Sequence, residues 1–72
     1  MGLRIEIAVN GQNQRIPANL NVRQMLEHLG LDPQRVAVEL NRVIVRKADW
    51  DATAVEADSK VEIVEFVGGG CR

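Results

Sequence analysis

The chain has 72 residues, 46% hydrophobic but only 3% aromatic, with nine basic and ten acidic side chains interspersed to a formal net charge of −1. That length allows one domain with a small core, hiding only about 60% of the unfolded chain's surface. The scarcity of aromatic platforms and the absence of a basic excess argue against nucleic acid as a partner. A lone cysteine excludes an internal disulfide and fits a reducing compartment. The N-terminus lacks the apolar core of a signal peptide, Met1-Gly2 lacks the downstream Ser or Thr of a myristoylation signal, and no apolar run is long enough to span a membrane. A soluble cytoplasmic protein is expected.

Leu3, Ile5, Ile7 and Val9 alternate with Arg4, Glu6 and Ala8, the period of a half-buried strand. Asn10-Gly11 follows and predicts a hairpin turn, because both residues tolerate positive φ. A short return strand around Gln14 to Ile16 is stopped by Pro17. Asn21 is placed to cap a helix, with Gln24 three positions on as the reciprocal partner of a capping box. Val22, Met25, Leu26 and Leu29 form one apolar helical stripe, and Gly30 ends it. A helix this short requires packing against a sheet. His28, off the stripe near the helix end, reads as a solvated cation favourable to the dipole.

Asp32-Pro33 opens a turn, after which Val36, Val38 and Leu40 alternate with Ala37 and Glu39. Asn41-Arg42 reverses the chain into Val43-Ile44-Val45. Residues 46–57 read as an irregular connection anchored by Trp50, a lid over the open end of the core. The last strand, Lys60 to Val67, carries Val61 and Ile63 on one face and Val64 and Phe66 on the other. Apolar residues on both faces suit a central strand. Which face meets the core and which meets a partner depends on a register that the sequence leaves open. The order strand, strand, helix, strand, strand, strand predicts an α+β roll, a mixed sheet of about five strands packed on one short helix. It occupies residues 1–67, followed by a flexible glycine-rich tail over residues 68–72.

The tail reads Gly68-Gly69-Gly70-Cys71-Arg72. Glycines there contribute nothing to packing and lose the most entropy on ordering. They are either a frayed end or a thin strand of backbone suited to threading another protein's active site. Cys71 has three readings: a persulfide-bearing thiol, a metal ligand, or part of a leaving segment. No CxxC or histidine cluster accompanies it as a metal site would require, and no electropositive pocket is in view to activate it. Ser59 and Thr53 are the only hydroxyl side chains and neither sits in a nucleophile motif. No catalytic residue is therefore expected, and the chain is read as a substrate or carrier rather than an enzyme.

Val36-Ala37-Val38-Glu39-Leu40-Asn41, Val45-Arg46, Trp50 and Val61-Glu62-Ile63-Val64 running into Phe66-Val67-Gly68-Gly69-Gly70 together resemble the ThiS family of sulfur-carrier proteins. The resemblance implies a ubiquitin-like β-grasp fold. It implies that Gly70 supplies a carboxylate which a ThiF-like adenylyltransferase activates with ATP, no cofactor being bound by the carrier itself. A cysteine desulfurase pathway then supplies sulfur, leaving a thiocarboxylate that is passed to thiazole synthase. Gly68 and Gly69 would thread the partner's active site, and Val64, Phe66 and Val67 would form the apolar landing surface. Two departures stand out. Asp58-Ser59 replaces the family's common Gly-Asp before the last strand, and Cys71-Arg72 follows the glycines. With Cys71 attached, Gly70 has no free carboxylate, so cleavage of the Gly70–Cys71 bond is expected first. The ending resembles that of some relatives processed by a JAMM-type zinc metalloprotease, and the resemblance implies the same processing here. The alternatives are a carrier for another route (molybdopterin, siderophore or amino-acid sulfur transfer) and a ubiquitin-like modifier joined through Gly70 to target lysines.

Overall fold

The computed structural model describes residues 2–66. Five strands form one mixed sheet: β1 (Arg4–Val9), β2 (Gln12–Pro17), β3 (Val36–Leu40), β4 (Val43–Val45) and β5 (Lys60–Glu65), with helix α1 (Val22–His28) between β2 and β3. Their order across the sheet is β2-β1-β5-β3-β4. β5 is thus central, as its two apolar faces predict. It runs parallel to β1 and antiparallel to β3, while β1–β2 and β3–β4 are antiparallel hairpins.

Both hairpin turns follow from residues able to take the left-handed conformation. Asn10 and Gly11 lie at φ 50° and 84°, and Asn41 and Arg42 at 51° and 72°. Positive φ at both central residues gives the turn twist that matches paired strands. β2 is longer than the expected Gln14 to Ile16 and includes Pro17, which lies opposite Arg4. An edge strand accommodates proline because one flank of the strand has no ladder to supply.

The capping box at α1 is complete. The Gln24 N–H donates to Asn21 Oδ1 at 2.8 Å, and the Asn21 N–H donates to Gln24 Oε1 at 3.0 Å. Val22, Met25 and Leu26 are fully buried, Leu29 is half-buried, and Gly30 takes φ 77° just past the helix. Exposed His28 lies in the last turn. The helix covers one sheet face, against Ile7, Val9, Ile16, Val36, Val38, Val61 and Ile63.

The connection before β5 is more ordered than expected. A 3₁₀ turn at Pro33–Arg35 precedes β3, and a second spans Lys47–Ala52. The second turn buries Trp50 to 1% exposure, and its Nε1–H donates to the Val45 carbonyl at 3.0 Å. The cationic groups of Arg23 and Lys47 lie 5.6 and 5.8 Å from the indole centroid, close enough for cation–π attraction. Val55 is also buried, as is Ser59, whose hydroxyl donates to the Glu56 carbonyl at 2.7 Å. Asp58 takes the positive φ (65°) of the turn into β5, so Asp58-Ser59 makes that turn without a glycine. Among the described residues no helix is long and apolar enough to cross a membrane.

Candidate functional site: the open sheet face beside the last strand

The strand leading to the glycines is the middle strand of the sheet, and the register settles which of its faces is free. Val61 and Ile63 point into the core at 1% and 9% exposure, whereas Val64 and Phe66 are 58% and 56% exposed. The alternation of strand side chains places Lys60, Glu62 and Val64 on the face opposite the helix. Their neighbours on that face follow from the pairing. Ala37 lies opposite Val64, Glu39 opposite Glu62, and Ile44 of the edge strand opposite Glu39.

The result is an apolar strip of Ala37, Ile44, Val64 and Phe66, with two carboxylates set within it. Ile44 is 73% exposed. These exposed apolar groups, gathered on one face by the strand pairing, make it the candidate contact surface. The sequence named Val64 and Phe66 for a free face, and both are exposed, but it did not name Ile44, because Val43-Ile44-Val45 is apolar throughout and both Val43 (64%) and Ile44 (73%) are exposed. The pairing of Ile44 with Glu39 is the signal that separates them.

β5 ends at Glu65 rather than running to Val67, yet Phe66 stays tied to the fold through its N–H, which donates to the Arg35 carbonyl at 2.7 Å. Arg35 itself makes an exposed ion pair with Asp32 at 3.5 Å. Val67, Gly68, Gly69, Gly70 and Cys71, named above for landing, threading, activation and cleavage, lie outside the described residues. Among the described residues no three His, Cys, Asp or Glu side chains group as metal ligands.

A small α+β roll with its last strand at the centre and one bare sheet face is the architecture of a β-grasp carrier. The sequence model of the ThiS family matches residues 4–70, and the chain belongs to that family of sulfur-carrier proteins. It is similar to the thiamine biosynthesis protein ThiS from Geobacter metallireducens, whose crystal structure superposes with a TM-score of 0.79 at 33% identity, covering 92% of this chain and all of that one. It is 39% identical over 66 residues to a thiazole synthase from Paramagnetospirillum magneticum, and 30% identical to an uncharacterized protein, ycf40, from Porphyra purpurea, with 92% of this chain and 93% of that one covered. The chain spans only 20% of the length of the thiazole synthases that it matches.

Proposed function

We propose that this chain carries sulfur on Gly70 for the thiazole-forming step of thiamine biosynthesis. The observation that carries this reading is the family match, which runs through Gly70. The name of the thiazole synthase relatives supports the choice of acceptor.

Cys71 follows Gly70, so the Gly70 carbonyl carbon is held in a peptide bond and offers no carboxylate to ATP. Hydrolysis of the Gly70–Cys71 bond by a partner protease of JAMM type comes first. A ThiF-like adenylyltransferase then joins the freed carboxylate to AMP with release of pyrophosphate. A persulfide formed by a cysteine desulfurase displaces AMP, and a thiol reduces the resulting acyl disulfide to leave the thiocarboxylate. The carrier's own contribution is a reachable carbonyl carbon and a docking surface.

Ala37, Ile44, Val64 and Phe66 are that surface, with Val67 extending it and Gly68-Gly69 threading the active site. Gly70 is the fourth residue after Phe66, and four residue steps span at most about 14 Å. The activating site must therefore open within that distance of the docked face.

A second reading, a carrier serving a different sulfur route, draws on the need to remove Cys71 before use. Intact mass spectrometry of the protein from its native host tests the proposal. A species ending at Gly70, partly with sulfur in place of a carboxyl oxygen, is expected. Finding only forms that continue past Gly70, even under thiamine starvation, overturns it, and high-mass adducts on other proteins would turn it toward a modifier.

A further inference from the structure

β5 is gripped on both flanks close to where it gives way to the residues that would carry the chemistry. On the β1 flank, the Ala8 N–H donates to the Ser59 carbonyl at 2.9 Å and the Asn10 N–H to the Val61 carbonyl at 2.8 Å. The next rung would need one more residue of β1, but the chain has already turned away at Asn10-Gly11. The Asn10 side chain fills that place. The Ile63 N–H donates to Asn10 Oδ1 at 2.7 Å, and Asn10 Nδ2 donates back to the Ile63 carbonyl at 3.1 Å.

A carboxamide bonded in both directions reproduces a peptide group, so the parallel ladder gains a rung made from a side chain. Past this rung β5 borders an open cleft of 240 Å³ lined in part by Asn10, Gln14, Leu31 and Glu65. Among the described residues Asn10 is therefore the last tie on that flank. On the other flank the Arg35 carbonyl holds the Phe66 N–H. The turn itself does not require this side chain, since glycine takes φ 50° with less strain.

We propose that Asn10 is a positioning residue for the carrier reaction. By locking Ile63, three residues before Phe66, it fixes the direction in which the chain leaves the sheet, and so how often Gly70 reaches the activating nucleotide. The proposal rests on the carrier reading. Small errors of placement cost large factors in rate when a reacting group must be delivered to a fixed site.

The test is Asn10→Gly, which keeps the turn conformation and removes both bonds, made in a chain ending at Gly70. ATP–pyrophosphate exchange with the adenylyltransferase should show kcat lower by about tenfold, with KM within about twofold because Ile44, Val64 and Phe66 still dock. Asn10→Asp, which keeps the acceptor for Ile63 but not the donor, should fall between. Asn21→Ala, which removes side-chain bonds to Gln24 and Asp51 and none to β5, serves as the control for lost stability, assayed at a temperature where both variants are folded. Turnover of Asn10→Gly equal to that of wild type or of this control overturns the proposal. Amide exchange gives an independent readout, with the Ile63 and Phe66 amides expected to exchange at least about tenfold faster in Asn10→Gly. Unchanged protection at both sinks the clamp even if turnover falls. If the wild-type chain is never adenylated, the carrier reading fails and the role of Asn10 in delivery goes with it, while the exchange data still decide the clamp.

Discussion

Glu39 and Glu62 stand directly opposite each other on β3 and β5, both on the face that the helix leaves bare. Like charges in this arrangement disfavour the sheet by a few tenths of a kcal/mol up to about 1 kcal/mol. Glu39→Gln should therefore raise stability by about that amount in urea titration at low salt, with the gain shrinking as salt screens the pair. If the face docks a partner bearing cationic groups, the same substitution lowers kcat/KM for adenylation. A variant that is more stable and equally well activated would remove these carboxylates from the interface.

Val64→Thr combined with Phe66→Ser separates docking from folding. Both side chains are more than half exposed, and Thr keeps the branched shape that suits a strand. Unfolding free energy should change by no more than about 0.5 kcal/mol per site. KM for the activating enzyme should rise about tenfold, as expected for loss of apolar anchors. Steady-state kinetics with the carrier as the varied substrate gives the answer.

Trp50 joins packing to a hydrogen bond. Trp50→Ala should cost about 3–5 kcal/mol, enough to unfold much of a domain this small. Trp50→Phe keeps most of the apolar volume but leaves the Val45 carbonyl without the indole donor. Its expected cost is about 1–3 kcal/mol. Denaturant midpoints of the two variants should differ clearly; equal losses would mean that the buried indole volume adds nothing beyond the hydrogen bond, and no loss in Trp50→Phe would mean that the bond is inconsequential.

Asn21→Ala removes the acceptor for the Gln24 N–H and also the 3.3 Å bond from Asn21 Nδ2 to the Asp51 carbonyl. A loss of about 1–2 kcal/mol is expected. Because the second bond ties the helix start to the Trp50 turn, amide exchange should quicken at both places. Acceleration confined to α1 would show that the tie to Asp51 contributes nothing.

Much of this fold was legible because its signals are local. Asn10-Gly11 and Asn41-Arg42 announce their turns through φ, the Asn21/Gln24 spacing announces the cap, and the Val22, Met25, Leu26 stripe announces the buried face. What stayed hidden depends on partners distant in sequence. Nothing near Asn10 reveals that its side chain spans 53 positions to Ile63. Val55 and Ser59 are buried by the way the 46–59 connection folds over the core, and no period marks them. The candidate site was half visible. Val64 and Phe66 could be named, but their exposure was decided by the single helix covering the other side, and Ile44 joins them only through pairing with β3.

The placement of β5 between two hairpins has a kinetic consequence. Each hairpin can form from neighbouring residues, but pairing Val9 with Val61 and Val38 with Ile63 closes long loops, a slow step in folding. β5 is thus expected to lock in last, and its two asparagine clamps (Asn10 at Ile63, Asn41 at Lys60) can close only then. A partly folded chain would lack both the assembled docking face and a fixed origin for the segment after Phe66. On the proposed carrier function, completion of folding would act as a checkpoint, since only the finished sheet presents the exposed Val64 and Phe66 together with Ile44 to an activating partner.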